Sequence, residues 1–189
     1  MKRLVVVGLA VLVATMAFAG GNPNVIGYID FDPPNRVHYV TPPPYSTVLA
    51  YICFGDLDMG LAGCSFMVNS VEVDCPGVFG PGPGFTNLLP GDLAIGNYLT
   101  GITLASTECM TDPDVCVAYL SLFYLNPGGA CCIELLDHPD YPRWVLDCND
   151  PAQIDFYGLW RQGNVGGWVC PDPVPVEDSS WGSIKAMYQ

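Results

Sequence analysis

Four pairs of acids are spaced closely enough to do chemistry in this 189-residue sequence: Asp56/Asp58, Asp112/Asp114, Asp137/Asp140 and Asp147/Asp150. Glycoside hydrolysis needs two carboxylates facing each other across a cleft. All four pairs instead fall in or beside expected turns, where Asp is favoured because its side chain bonds nearby backbone. No catalytic residue is assigned on this basis, and no enzyme activity is expected. Asp56-Leu-Asp58-Met-Gly60 spaces its oxygens as the start of a calcium loop does. Its glycine comes one place early and no closing Glu follows, which excludes an EF-hand. Asp56 and Asp58 are thus candidates for a structural calcium and nothing more, and no other cofactor is expected. The two histidines, His38 and His138, lie far from any Cys or Glu arrangement of zinc or nucleophile type. There is no G-x-S-x-G, H-E-x-x-H, P-loop or dinucleotide fingerprint.

Nine cysteines are the other reactive set: Cys53, Cys64, Cys75, Cys109, Cys116, Cys131, Cys132, Cys148 and Cys170. In an exported chain such a number reads as a disulfide framework. An odd count leaves one thiol free or pairs it between chains, a route to self-association. Setting Asp137 opposite Arg143 in a hairpin around residues 138–142 brings Cys132 opposite Cys148, a geometry that allows a bridge. Cys131 then points to the other face and needs another partner. Cys109 and Cys116 are placed to close the loop between them.

The N-terminus supports export. Lys2 and Arg3 precede an apolar run from Leu4 to Met16, and Ala17-Phe18-Ala19 is a small-x-small cleavage site. Residues 1–19 read as a signal peptide. No second long apolar run follows, so no transmembrane segment is expected after cleavage. Past residue 19 only Arg36, Arg143, Arg161 and Lys185 oppose 19 acids, a net charge of −15. Such a surface repels nucleic acid and anionic lipid. The expected partner is an extracellular protein or a glycan.

The elements that must position these residues are strands. Short apolar runs alternate with Gly, Pro, Asn and Asp, and helical periodicity is nearly absent. Thr47–Phe54 and Val115–Leu125 are apolar on both faces, as central strands are. Cys64, Phe66 and Val68 alternate with Ser65, Met67 and Asn69, and the phase changes near Ser70, predicting a bulge or bend. Residues 76–92 are too rich in Gly and Pro for a regular element. Leu93–Ala105 reads as strand with a turn at Gly96-Asn97. Strands over 131–137, 143–148, 153–160 and 166–170 complete an antiparallel β-sandwich of seven to nine strands, spanning residues 20–170. The aromatics Trp144, Phe156, Tyr157, Trp160 and Trp168 are expected mostly in its core, with sugar stacking open to any that line an exposed face.

Residues 171–189 form a Pro-rich spacer and a short helix-like tail. Ser180 can cap a turn that places Trp181, Ile184 and Tyr188 on one face for docking. The ending PVPVEDSSWGSIKAMY, with its P-V-spacer-W-G-x-I-K-x-x-Y pattern, resembles the C-terminus of a group of secreted bacterial proteins. CIELLDHP…RWVLDC and GDLAIGNYLTGI are similar to theirs as well. The resemblance implies a cohesin-like or immunoglobulin-like all-β sandwich outside the cytoplasm, and it brings no activity. The expected function is a binding or structural module at the cell surface or beyond. The alternatives are a carbohydrate-binding module, a self-assembling envelope component and a carboxylate-dependent hydrolase.

Overall fold

The structure, a computed structural model, describes residues 21–126, 128–140, 143–160, 162–167 and 170. The expected signal peptide, Trp168, and the tail with Trp181, Ile184 and Tyr188 lie outside the described residues.

In chain order the strands are β1 (Ile26–Asp30), β2 (Tyr39–Val40), β3 (Ser46–Gly55), β4 (Leu61–Val68), β5 (Gly84–Asn87), β6 (Leu93–Asn97), β7 (Gly101–Met110) and β8 (Asp114–Tyr124). They continue with β9 (Cys131–Ile133), β10 (Leu135–Leu136), β11 (Trp144–Leu146), β12 (Ile154–Phe156), β13 (Gly158–Leu159) and β14 (Gly163–Val165). One four-residue helix, α1 (Val71–Asp74), follows β4. One sheet runs β13-β1-β3-β8-β5; the facing sheet runs β12-β11-β4-β7-β6, with β10 also on β4. A small third sheet joins β2, β14 and β9. Pairing is antiparallel except for β1 with β13 and β2 with β14. The fold is an all-β sandwich.

The core lies between the two large sheets. Phe54 of β3 packs on Phe66 of β4 and edge-on against Tyr157, with ring centroids 6.5 and 4.8 Å apart. The inner residues Ile52, Cys64, Phe66, Leu104, Leu120 and Val145 are fully buried. The alternation of β4 seen in the sequence is this pleat: Cys64, Phe66 and Val68 face the core.

Several local expectations are corrected. The phase change at Ser70 is not a bulge but the start of α1, with Ser70 at its N-cap position. Residues 76–92 contain a regular element, β5, which adds to β8 as an edge strand and uses neighbouring backbone where its own sequence gives little propensity. The β6–β7 turn falls at residues 98–100, two residues later than expected, because Gly96 stays in the ladder opposite Ile102.

The disulfides are also re-partnered. The bridges are Cys53–Cys116, Cys75–Cys131, Cys109–Cys148 and Cys132–Cys170. Cys109 does not pair with Cys116, because β7 and β8 belong to different sheets and the link between them crosses the sandwich. Cys132 does not pair with Cys148, because residues 131–148 form no hairpin: β9 pairs with β14, whereas β11 pairs with β4 and β12. The alternation of Cys131 and Cys132 survives, since the two take different partners. Asp137 does meet Arg143, as an ion pair of 2.6 Å. The odd cysteine is Cys64, fully buried in the core, where burial pushes its thiol pKa far up. It therefore cannot bridge two folded chains. Four disulfides fit an exported protein. Among the described residues no helix is long and apolar enough to cross a membrane.

The Cys109–Cys148 bridge runs directly over Gly60. A Cβ at Gly60 would lie 3.1 Å from both sulfurs and 2.6 Å from the Met110 carbonyl oxygen. The bridge thereby ties β7 to the end of β11 across β4, which lies between them. Replacing both cysteines by Ala is expected to cost about 3 kcal/mol of stability, measured by denaturant unfolding. Peptide mapping without reduction should return the four pairs above. Cys64 should react with a thiol reagent only after unfolding.

Candidate functional site

One acid of each spaced pair has structural work. Asp56 and Asp114 hold Arg36, at 3.1 and 2.6 Å. The Arg36 guanidinium also sits over the rings of Tyr28 and Trp160, 5.4 and 5.1 Å from their centroids. Tyr28 donates its hydroxyl to Asp114 at 2.8 Å; burial, and then this carboxylate, push the phenol pKa far up. Asp58 is exposed and joins no cluster. Among the described residues no group of three His, Cys, Asp or Glu side chains stands close enough to hold a metal ion. Asp137 is taken by Arg143.

Asp147 is fully buried and accepts the backbone N–H groups of Gln153 at 2.7 Å, Asn149 at 3.1 Å and Gly21 at 3.0 Å, together with the Asn149 side-chain amide. Burial pushes its carboxyl up, but these donors outweigh burial and hold its pKa below the usual carboxylate range. A depressed carboxyl pKa contributes stability above the unfolded value, about 3.9, that is lost as the pH falls through the folded value.

The ladder registers place a different set of residues together. On the outer face of the second sheet, Ile95, Thr103, Ser65, Trp144 and Phe156 form one row across five strands. Leu93, Ala105, Gly63, Leu146 and Ile154 form the next. Small residues in the middle and large apolar ones at both sides make a shallow trough. A groove of about 690 Å³ runs along it, lined by Ile95, Thr103, Trp144 and Ile154 and closed at one end by His138 and Asp140. The His138 ring and Pro139 lie against Gly101 at the start of β7, and His138 Nδ1 accepts the Asp140 N–H at 3.1 Å. A smaller cleft of about 450 Å³ opens between β5 and β6, beside the stacked rings of Phe85 and Tyr98.

Strand β12 is inside-out. Ile154 and Phe156 are 55% and 61% exposed, whereas Asp155 between them is 6% exposed. A soluble sheet normally buries the apolar residues and exposes the acid. β6 departs from the same rule, with Leu93 and Ile95 at 52% and 78%. Trp144 and Phe156, expected mostly in the core, are cross-strand neighbours on this outer face, and of the four described aromatics in that set Tyr157 alone is fully interior. The spacing of catalytic motifs gave no sign of the groove. The readable sign was the pair of short segments, LAIGN and QIDF, whose apolar residues share one strand face.

No protein-family model matches the chain, and no curated protein matches it in sequence. Among solved structures it is similar to the sixth cohesin from Acetivibrio cellulolyticus scaffoldin B, a structure in complex with a Cel5 dockerin. The identity is 14% and the TM-score 0.46, covering 75% of this chain and 97% of that one. It is also similar to the seventh ScaB type I cohesin from Pseudobacteroides cellulosolvens, at 10% identity and TM-score 0.46 over 82% and 96% of the two chains. A third is CaCohA2 from Clostridium acetobutylicum, at 14% identity and TM-score 0.44 over 83% and 94%.

Two substitutions test the site's anatomy. Ile95→Asp should leave stability within about 0.5 kcal/mol of wild type, because its side chain is already in water. Asp147→Asn should cost about 2–3 kcal/mol at pH 7 and flatten the loss of stability that wild type shows below about pH 4. Urea titrations across pH 3–8 read both.

Proposed function

We propose that this protein is a non-enzymatic, exported binding module that works outside the cell or at its surface. Its outer sheet face, between the β6 edge and β11–β12, is the docking site for a partner protein. The observation that carries this is the inside-out patterning of β12 together with an edge strand, β6, that is exposed along its whole length. Together they leave Leu93, Ile95, Ile154 and Phe156 in water on one face around a central trough. Contiguous exposed apolar surface of this kind marks interaction sites. The groove, with Thr103 between Ile95 on one side and Trp144 and Ile154 on the other, admits an apolar ridge from a partner, with Trp144 and Phe156 as aromatic anchors. The partner's rim is basic, because the chain beyond residue 19 carries 15 net negative charges and Asp140 stands at the groove mouth. The engagement of Asp56, Asp114, Asp137 and Asp147 by structural partners supports a non-catalytic role.

A second reading has its own observation: Trp144 and Phe156 stand side by side, as rings that stack on sugars do. The two readings separate by mutation. For a protein partner, binding should fall at least about 30-fold with Ile95→Asp and with Trp144→Ala, since single hot-spot losses reach about 2 kcal/mol and more. For a glycan, Trp144→Ala abolishes binding and Ile95→Asp does not. Extracellular fractions and glycan arrays probed with wild type and both variants give the answer. If neither variant changes any binding, the face is not the site.

A further inference from the structure

The sandwich is closed along one flank and open along the other. At the closed flank the chain passes from β12 of the second sheet through Tyr157 to β13 of the first, and the buried Tyr157 ring packs on Phe54 between them. At the open flank stand two edge strands, β5 and β6, each paired along one side only, with β8 and β7. The cleft of about 450 Å³ lies between them.

Strand β6 presents almost nothing to the interior. Ala94 stands opposite Leu104 and Gly96 opposite Ile102, both core residues, so positions 94 and 96 belong to the inner face. Yet both are exposed and line the cleft. Gly96 cannot be larger: its φ is +97°, and a Cβ there would collide with the Gly101 carbonyl oxygen. The far wall is Phe85 of β5, stacked on Tyr98 with ring centroids 5.2 Å apart. Asn87 lies on the same wall, and its buried side-chain nitrogen has no acceptor among the described residues.

The edge is also undefended. Edge strands are normally guarded by charge, Pro or a bulge against the addition of another strand. The β6 sequence LAIGN has no charge and no Pro, and its ladder with β7 runs without a register shift. The β5 sequence GFTN is uncharged as well.

We propose that the partner contributes an extended segment that adds to the free edge of β6 as a further strand of the second sheet. Side chains alternate between the faces of a strand. One set from the segment therefore enters the cleft beside Ala94 and Gly96, and the other extends the outer rows beside Leu93 and Ile95. The cleft is thus the inner side of the docking surface already described, not a second surface. Main-chain hydrogen bonds give such an addition its affinity, and the pockets for alternate side chains give its specificity. The segment is apolar where it enters the cleft and basic toward exposed Asp92 on the cleft lining. Charge disfavours a second copy of this chain as donor, because two surfaces of 15 net negative charges repel. This inference rests on the outer face being the docking site and adds the form in which the partner meets it.

The test selects binders of the intact protein from a displayed library of random peptides about nine residues long. Selected peptides are then titrated against wild type and Ala94→Lys. Ala94 is exposed, so the variant should melt as wild type does while its charge blocks the inner side of the edge. The selected peptides should alternate apolar residues and carry Lys or Arg at one end. Ala94→Lys should weaken them at least about tenfold. Successive N–H groups of a strand point to opposite edges, so methylating every second peptide nitrogen should abolish binding in one phase and change it less than about threefold in the other. Failure to select any peptide, or binding indifferent to Ala94→Lys or to the phase of methylation, would overturn the proposal. Self-association of wild type that Ala94→Lys abolishes would assign the edge to a second copy and overturn it too. Capture from extracellular fractions separates the two readings. Loss with Ile95→Asp and Trp144→Ala but not with Ala94→Lys keeps the outer face and removes the added strand. Indifference to all three variants removes both.

Discussion

The structure depends on the register of β4 between β7 and β11. Ser65 stands opposite Thr103 on one side and Trp144 on the other. Because side chains alternate along a strand, a slip of one residue on either side would exchange the two faces. Val145 and Leu104 would leave the core and Trp144 and Thr103 would enter it. The correct register is worth the burial of Cys64, Phe66, Val68, Leu104 and Val145, each fully or almost fully removed from water. The Cys109–Cys148 bridge fixes the same register covalently, since it ties the two neighbours of β4 together where the strand begins. The outer groove is thus a by-product of the core: what packs inside determines which residues line up outside.

β12 joins the two ends of the argument. It contributes Ile154 and Phe156 to the groove, and on its other face Asp155 accepts the Asn22 N–H. Burying an acid and exposing two large apolar groups is unfavourable on both sides of the strand. The acid is compensated by the N-terminal segment that it grips. The apolar pair is compensated only when something covers it. That asymmetry is why the outer face, rather than the Arg36 knot or the Phe85–Tyr98 cleft, is proposed as the docking surface.

Much of the sandwich was legible in the sequence. The runs that became β3, β4 and β8 announce themselves by apolar residues on one or both faces, and such periodicity is local. β5 was illegible because its backbone is organised by β8, far along the chain. The cysteine pairs were illegible for the same kind of reason. Cys109 and Cys116 are close in sequence, yet the chain changes sheets between them. Even so, the juxtaposition of Asp137 with Arg143 was readable, because opposite charges six residues apart across a turn need little else to meet. The site was harder. A reader of QIDFYG assigns the acid to water and the isoleucine and phenylalanine to the core, and only the tertiary position of Asn22 reverses that choice.

The most direct measurement is hydroxyl-radical footprinting of the intact protein, alone and in its native extracellular surroundings. Alone, Trp144, Phe156 and Ile95 should be oxidised readily, at rates comparable with Tyr51, Tyr119 and Phe123 on the opposite sheet. In the native surroundings the first three should become protected together while the opposite sheet stays reactive. Protection of the opposite sheet instead, or unchanged reactivity of both, would contradict the assignment of the outer face of β6, β7, β4, β11 and β12 as the docking surface.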